Sequence, residues 1–144
     1  MAVRYHHTQR GTMMLVAMLV AAIVATSIGY FNPLAVARWL IWALAVAFVF
    51  LAWLFSSLTV ELSENEVRWY FGPGIWRYRI ARYEIDVVQI VRNNWWNGFG
   101  IRMQPGFRLY NVSGLDAVEL RLKSGDSRCI GTDDARGLAA ALKA

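Results

Sequence analysis

Three arginine residues are the best candidates in this chain for binding a phosphate group. Arg77 and Arg79 alternate in the segment IWRYRI, which places both on one face of a predicted strand, and Arg82 lies just beyond it. The forked guanidinium group matches the geometry of a phosphate, so the cluster is a candidate site for a phospholipid headgroup. The alternative is a solvated strand face, which we favour because arginines at alternate positions are common on exposed faces.

Two adjacent tryptophans, Trp95 and Trp96, stand in the segment NNWWNGFGIR. Adjacent residues of a strand point to opposite faces, so one ring can fill the core. Alternatively, both rings lie in a loop at a membrane interface, where indoles are favoured, or they contact a partner. Gly98 and Gly100 would allow a bulge or a close approach of the backbone. We favour a structural role, since a small barrel needs bulky side chains to fill it.

Metal binding, thiol chemistry and catalysis find little support in the sequence. His6 and His7 are adjacent, a spacing that rarely lets both rings bind one ion from a regular element. Cys129 is the only cysteine, so no intramolecular disulfide can form, and we interpret it as a small strand residue. The acidic residues of the polar half are scattered, and no GxSxG, HExxH, P-loop or CxxC motif occurs. We therefore predict no enzyme activity, no metal and no cofactor.

The charges divide the chain into an apolar part and a polar part. No Asp, Glu, Lys or Arg occurs from 11 to 37 or from 39 to 60, and all ten acidic residues lie from Glu61 to Asp134. Each uncharged run exceeds the roughly 20 helical residues that cross a ~30 Å hydrocarbon core. The sequence therefore predicts a membrane part followed by a polar module.

We predict a transmembrane hairpin in residues 1–57, with helices at about 12–30 and 34–55. Pro33 suits the short turn between them, and so short a turn places both termini on one side. Arginines precede the first helix and follow the second, whereas the turn has none until Arg38, so both termini are predicted to be cytosolic. A cleaved signal peptide is the alternative for the first segment, but the apolar run is longer than such peptides require.

Small residues recur at four-residue spacing on both predicted helices: Ala17, Ala21, Ala25 and Gly29 on the first, and Ala43 and Ala47 on the second. Ridges of small residues let helix backbones approach closely in lipid. We expect this packing within the hairpin rather than between two copies of the chain. Neither helix has an ionisable group in its interior, which argues against a proton or ion path.

Residues 58–144 form the second predicted domain, built from short strands and one helix. The segment LTVELS alternates apolar and polar residues, and turn signals such as GPG and SGD separate about seven similar segments. Near the C-terminus, apolar residues recur at helical spacing, which predicts a helix at about 133–143 with Thr132 as its N-cap. We expect an α+β protein whose seven antiparallel strands form a small barrel or sandwich with a C-terminal helix.

Two helices, a meander of strands and the late stretch GFGIR…YNVSGLDAVELRLKSG…IGTDD…GLAAAL resemble the bacterial membrane-anchored PH-like (pleckstrin-homology-like) family. The segment YHHTQRG before the first helix is similar to a short segment in the same family. The resemblance implies a seven-stranded bent barrel closed by a C-terminal helix, a place in the bacterial inner membrane and no enzymatic activity. It indicates architecture rather than mechanism, because most members have no known function.

The formal net charge of +5 suits the anionic surface of a cytosolic leaflet, and it is too scattered to predict nucleic-acid binding. We expect a membrane-anchored scaffold or adaptor that binds a protein partner, or a second copy of itself, through strand edges or loops. No small-molecule substrate is evident. The alternative function is recognition of anionic phospholipid headgroups by the arginine cluster and the tryptophan pair.

Overall fold

The computed structural model describes residues 3–94, 96 and 100–144. Its first two helices, α1 (Thr12–Phe31) and α2 (Ala35–Leu54), pack side by side as a hairpin. These bounds agree with the predicted ones to within one residue. Both helices have 20 residues, so each is about 30 Å long. The turn is closed by Asn32, whose Oδ1 accepts a 2.9 Å hydrogen bond from the Leu34 N–H.

The contact between the two helices uses only part of the predicted small-residue ridge. Gly29 and Ala25 are buried, and a Cβ at Gly29 would lie 2.6 Å from the Trp42 ring. Ala21 is half-buried, whereas the other three predicted residues are exposed: Ala17, Ala43 and Ala47. Residues at four-residue spacing advance by about 40° per step around a helix with 3.6 residues per turn. The ridge therefore rotates out of the interface within three steps, and Ala45 and Ala52 are the buried alanines of α2.

Besides its helices, the described chain contains nine strands in two sheets. The strands of the first sheet, in spatial order, are β1 (Val3–Arg10), β2 (Ser57–Ser63), β3 (Glu66–Phe71) and β4 (Arg77–Ala81). The strands of the second sheet, in chain order, are β5 (Ile85–Arg92), β6 (Gly100–Gln104), β7 (Phe107–Asn111), β8 (Asp116–Leu122) and β9 (Ser127–Gly131). Their spatial order is β5-β8-β9-β7-β6.

This topology corrects the predicted seven-stranded antiparallel arrangement. The predicted count omitted β1, which lies in the N-terminal arm before the helices. In addition, β7 and β9 are parallel neighbours, because the β8–β9 hairpin returns to lie beside β7. The described strands form two separate sheets and not a closed barrel. The coarser prediction of an α+β fold with two apolar helices and a C-terminal helix is confirmed.

The two sheets enclose one apolar core, and the C-terminal helix α3 (Ala135–Lys143) packs against it. The largest fully buried side chain is that of Trp69, whose ring lies 5.2 Å from that of Tyr110. Asp134, and not the predicted Thr132, is the N-cap of α3, because its carboxylate accepts a 3.0 Å hydrogen bond from the Gly137 N–H. Thr132 instead accepts a hydrogen bond from the backbone of Asp134.

The helical hairpin and the first sheet are joined by a paired segment of backbone. Strand β1 enters α1 and β2 leaves α2, and the two strands pair antiparallel, with Arg10 opposite Ser57. The N–H of Gly11 donates to the carbonyl oxygen of Ser56 at 2.7 Å. A Cβ at Gly11 would collide with the carbonyl oxygen of Phe55. The β-domain is therefore fixed directly to the hairpin, with no free linker between the two. The predicted domain boundary at residue 57 falls within this joint.

Candidate functional site

The outward surface of β3 and β4 carries the main group of basic side chains in the first sheet. We call Arg68, Tyr70, Arg77 and Arg79 the arginine face. Backbone register places Arg68 opposite Arg79 and Tyr70 opposite Arg77, while the side chains that alternate with them enter the core. A cleft of about 360 Å³ lies along this face, and Glu61 on β2 completes its lining. The structure thus brings the predicted pair Arg77 and Arg79 together and adds Arg68.

The members of the arginine face differ in how far they are already paired. Arg68 forms an ion pair with Glu66 on its own strand. The Tyr70 hydroxyl donates a 3.1 Å hydrogen bond to Glu61, and burial, followed by this bond, raises the pKa of Tyr70. Arg79 is exposed and has no hydrogen bond or ion pair to any residue that the structure describes. Arg79 is therefore the side chain of this face most available to an acidic ligand.

Arg77 is oriented by two contacts at the end of the sheet next to the helical hairpin. Its Nε donates a 2.9 Å hydrogen bond to the carbonyl oxygen of Gly74, and its guanidinium carbon lies 5.6 Å from the centre of the Tyr70 ring. Both contacts hold the side chain back toward the turn that precedes β4. Arg77 thus faces a different neighbourhood from Arg79, although the two share a strand face.

Arg82, the third predicted arginine, does not belong to the arginine face. One Nη donates a 3.1 Å hydrogen bond to the carbonyl oxygen of Leu142 in the last turn of α3, and its backbone N–H donates to Asn65 at 2.8 Å. A cation that binds the carbonyl end of a helix is a C-terminal capping group. The structure therefore assigns Arg82 a structural role at the end of the sheet remote from α1 and α2.

Exposed apolar side chains lie at the base of the hairpin, where α2 ends. The sequence patterns did not identify them as candidates for a site. The turn from Gly72 to Trp76 lies beside the end of α2, because a Cβ at Gly72 would collide with the carbonyl oxygen of Leu54. Ile75 and Trp76 in this turn are 58% and 45% exposed, and the Trp76 ring lies 6.0 Å from that of Phe55. Trp76 therefore lies in the turn before β4, on the surface beside the end of α2.

Trp96 is on the surface of the protein and does not fill the core. Its side chain is 79% exposed, and its carbonyl oxygen accepts a 3.3 Å hydrogen bond from Arg102. Gly100, four residues later, lies beside Met14 in the first turn of α1. Trp95 and Gly98 lie outside the described residues. The Trp96 ring thus lies outside the core, which holds rings from β3 and β7, and the structural, interfacial and partner-binding interpretations of the pair stay predictions.

The two histidines point to different neighbours. The His7 ring lies 2.5 Å from Asp133 at the start of α3, whereas the His6 ring lies 3.7 Å from Glu61 on the arginine-face side of the sheet. Adjacent strand positions face opposite sides, so the two rings diverge. Across residues 3–94, 96 and 100–144, no three His, Cys, Asp or Glu side chains are grouped as metal ligands would be.

Cys129 is buried on the outer side of the second sheet beside Leu109 and Ala117. Burial raises the pKa of its thiol to about 11. A thiol that remains protonated at neutral pH is a poor nucleophile and a poor metal ligand. Cys129 therefore has the environment of a structural cysteine.

Comparisons with known proteins do not identify the chain: no protein-family model matches it, and no curated protein matches it. The likeness to the PH-like family thus remains a prediction.

Proposed function

We propose that this protein is a non-enzymatic adaptor of the bacterial inner membrane. In this proposal α1 and α2 span the bilayer, both termini are cytosolic, and the β-domain binds an acidic segment of a protein partner on the arginine face. The observation that carries the proposal is the available guanidinium of Arg79 within a basic strand face that is fixed to the hairpin by the β1–β2 joint. Such a joint presents the face at a constant height and orientation above the membrane.

The surface of the hairpin supports membrane insertion. The two helices are long and apolar enough to cross a membrane, and only 22% and 11% of their most apolar windows are buried inside the protein. Large apolar side chains such as Val16, Ile23, Leu40 and Phe50 are exposed along their length. Contiguous apolar surface of this kind is unfavourable in water and favourable in lipid. Arginines on β1, β3 and β4 at the base agree with a cytosolic β-domain under the positive-inside rule.

The position of β4 indicates the form of the partner. Among the described strands, β4 pairs only with β3, so its other edge has unpaired backbone groups. An extended segment can add to such an edge by main-chain hydrogen bonds, and its alternate side chains then lie on one face. Carboxylates at those alternate positions would meet Arg79 on β4 and Arg68 opposite it on β3. We therefore propose an extended acidic protein segment as the ligand.

Several of the described carboxylates support a non-enzymatic role because they are paired with basic side chains of the fold. Glu66 pairs with Arg68, Asp126 with Arg128 and Asp133 with His7. The PH-like relationship is part of the same proposal: strands followed by a C-terminal helix that packs on their core are the features that support it. The chain departs from the seven-stranded pattern of the PH-like family in having one sheet of four strands and one of five.

A peptide titration tests the adaptor proposal. A fluorescent peptide of alternating Glu and Val residues is added to full-length protein in neutral detergent, and binding is followed by anisotropy. The double variant Arg68→Glu/Arg79→Glu should lower the affinity at least tenfold, because each reversal replaces an attractive pair by a repulsive one. The matched control is Arg121→Glu/Lys123→Glu, at exposed positions near the end of β8, which should leave the affinity unchanged.

Two results would contradict the proposal. One is no binding of the acidic peptide at low salt to the wild-type protein. The other is an equal loss in the control variant, which would show a response to total charge rather than to the arginine face. Far-UV circular dichroism of all variants establishes that the fold is retained. Photocrosslinking in native membranes then identifies the partner that depends on Arg79.

A further inference from the structure

We infer that the turn from Gly72 to Trp76, together with Arg77, forms a binding site for an anionic phospholipid headgroup at the base of the hairpin. We call these residues the basal site. The inference rests on the proposed function in one respect, which is that α1 and α2 span a bilayer. It assigns Arg77 to the membrane surface and leaves Arg79 to the protein partner.

The turn from Gly72 to Trp76 lies at the level at which α2 ends. The N–H of Gly72 donates a 2.9 Å hydrogen bond to the carbonyl oxygen of Ser57, three residues after α2 ends. The backbone of Gly72 also touches the carbonyl of Leu54, the last residue of α2. A 20-residue helix is about as long as the ~30 Å hydrocarbon core is thick. The turn therefore lies at the boundary between hydrocarbon and headgroups.

The side chains of the turn suit that boundary. Ile75 and Trp76 expose 58% and 45% of their surface, although both stand beside a cytosolic sheet. Indole rings concentrate at membrane interfaces because they combine a large apolar body with one N–H donor. Trp76 also contacts Phe55, the residue that follows α2. Insertion of these two side chains into the interface would remove apolar surface from water.

The distance of each arginine from the boundary separates their roles. Backbone register aligns Arg77 with the second residue after Ser57, and Arg79 with the fourth. At about 3.3 Å per residue, these positions lie about 7 Å and about 13 Å beyond Ser57. The headgroup layer of one leaflet is about 5–7 Å thick. The backbone of Arg77 thus lies at the edge of this layer, within reach of a lipid phosphate, whereas the backbone of Arg79 lies farther from it.

The contacts of Arg77 leave its two terminal nitrogens available to bind a phosphate. Its Nε is engaged with the Gly74 carbonyl, which directs the side chain toward the membrane. Its two terminal nitrogens make no hydrogen bond to the part of the chain that the structure describes. Two parallel N–H groups of one guanidinium can donate to two oxygens of a phosphate.

Lipid retention tests the basal site. Full-length protein is reconstituted into phosphatidylcholine nanodiscs with 20% phosphatidylglycerol, and the motion of spin-labelled phosphatidylglycerol is compared with that of spin-labelled phosphatidylcholine. We expect the protein to immobilise phosphatidylglycerol preferentially, and Arg77→Gln to reduce that preference several-fold. Arg79→Gln is the matched control, since it removes the same charge two residues farther from the membrane. High salt should weaken the preference, whereas millimolar inorganic phosphate should not compete.

Each other outcome overturns the inference. Equal effects of Arg77→Gln and Arg79→Gln would show a general charge effect. Competition by inorganic phosphate would show a site for free phosphate rather than for a lipid. Failure of the wild-type protein to insert into nanodiscs would refute the proposed membrane span, and with it this site. Loss of lipid preference in a protein that still binds the acidic peptide leaves the adaptor proposal intact, so the two failures are distinguishable.

Discussion

The hydroxyl group of Tyr5 donates a 2.9 Å hydrogen bond to Oδ2 of Asp134, which joins residues 129 positions apart. The same carboxylate caps α3 through the Gly137 N–H. Beside it, His7 contacts Asp133. The segment before the first helix is therefore bound to the last helix of the chain. This contact makes the N-terminal arm part of the β-domain and not an independent extension of the helical hairpin.

We predict that Tyr5→Phe lowers the free energy of unfolding by about 1 kcal/mol at neutral pH, because it removes one hydrogen bond to a charged group. Burial, and then the bond to Asp134, raises the pKa of Tyr5. A raised pKa means that the contribution is complete below pH ~10, the unfolded value, and is lost as pH rises above it. Thermal unfolding in detergent at pH 8 and pH 10.5 should show a smaller difference between wild type and variant at the higher pH. Tyr83→Phe, at an exposed position, is the control.

We predict that Gly11→Val weakens the joint between the hairpin and the first sheet. The new side chain would collide with the Phe55 carbonyl and press on Val112, which lies 3.1 Å from the Cβ position. Hydrogen exchange should therefore accelerate in β1 and at the start of β2, while α1 and α2 remain protected. Thr12→Val, at an exposed position one residue later, should leave exchange unchanged. Unaltered protection of β1 in Gly11→Val would show that the joint tolerates a side chain.

We predict that Gly29→Leu disrupts the hairpin and that Ala17→Leu does not. Trp42 occupies the space in which a side chain at Gly29 would lie, whereas Ala17 faces away from α2. Because the substitutions add large side chains of the same kind on one helix, they distinguish the buried part of the ridge from its exposed part. A cysteine pair across the helices would report the change through its rate of disulfide formation. Equal rates in both variants would contradict the observed packing.

The helical hairpin was predictable because its signal is local. Uncharged runs of sufficient length define both helices, and their bounds agree with the structure to within one residue. The same holds for LTVELS, whose alternation matches the burial of Leu58, Val60 and Leu62. Where one face of an element meets the core along its whole length, the sequence period is sufficient.

The other features of the fold and of the candidate site depend on contacts between residues that are distant in sequence. Strand β1 has the sequence VRYHHTQR, without apolar alternation, because its inward positions also meet polar groups. Tyr5 packs against the core but bonds to Asp134, and Gln9 donates to the carbonyl oxygen of Ser113. Arg82 resembles its neighbours in sequence, and only its bond to Leu142 separates it from them. Trp76 belongs to the alternating segment IWRYRI, but it precedes the first residue of β4 and lies in the turn that reverses the chain. No sequence period reports these long-range pairings.

We predict that Arg82→Gln and Arg79→Gln have opposite consequences. Arg82→Gln should lower the free energy of unfolding by about 1 kcal/mol, because it removes the cation that caps the carbonyl end of α3. Arg79→Gln should leave stability within about 0.5 kcal/mol, as expected for an exposed side chain, and weaken binding of the acidic peptide. Urea unfolding and the peptide titration, made on the same samples, measure both quantities. A loss of peptide affinity confined to Arg82→Gln would reverse the assignment of the two arginines.

Cys129 should react slowly with alkylating reagents until the protein unfolds. Burial raises the pKa of its thiol from 9.0 to about 11, so at pH 8 the thiolate fraction is about a hundredfold lower than in the unfolded chain. Its 1% exposure slows the reaction further. Mass spectrometry after iodoacetamide treatment at pH 8 should show little modification of the folded protein and complete modification in denaturant. The raised pKa contributes to the stability of the folded state below pH ~9, and this contribution is lost at higher pH. Because the thiolate fraction of Cys129 also rises with pH, the folded protein should become more reactive as pH passes 10. Rapid modification at pH 8 would mean that the segment around Asn93, whose Oδ1 lies 3.6 Å from the Cys129 Sγ, opens readily in the native protein.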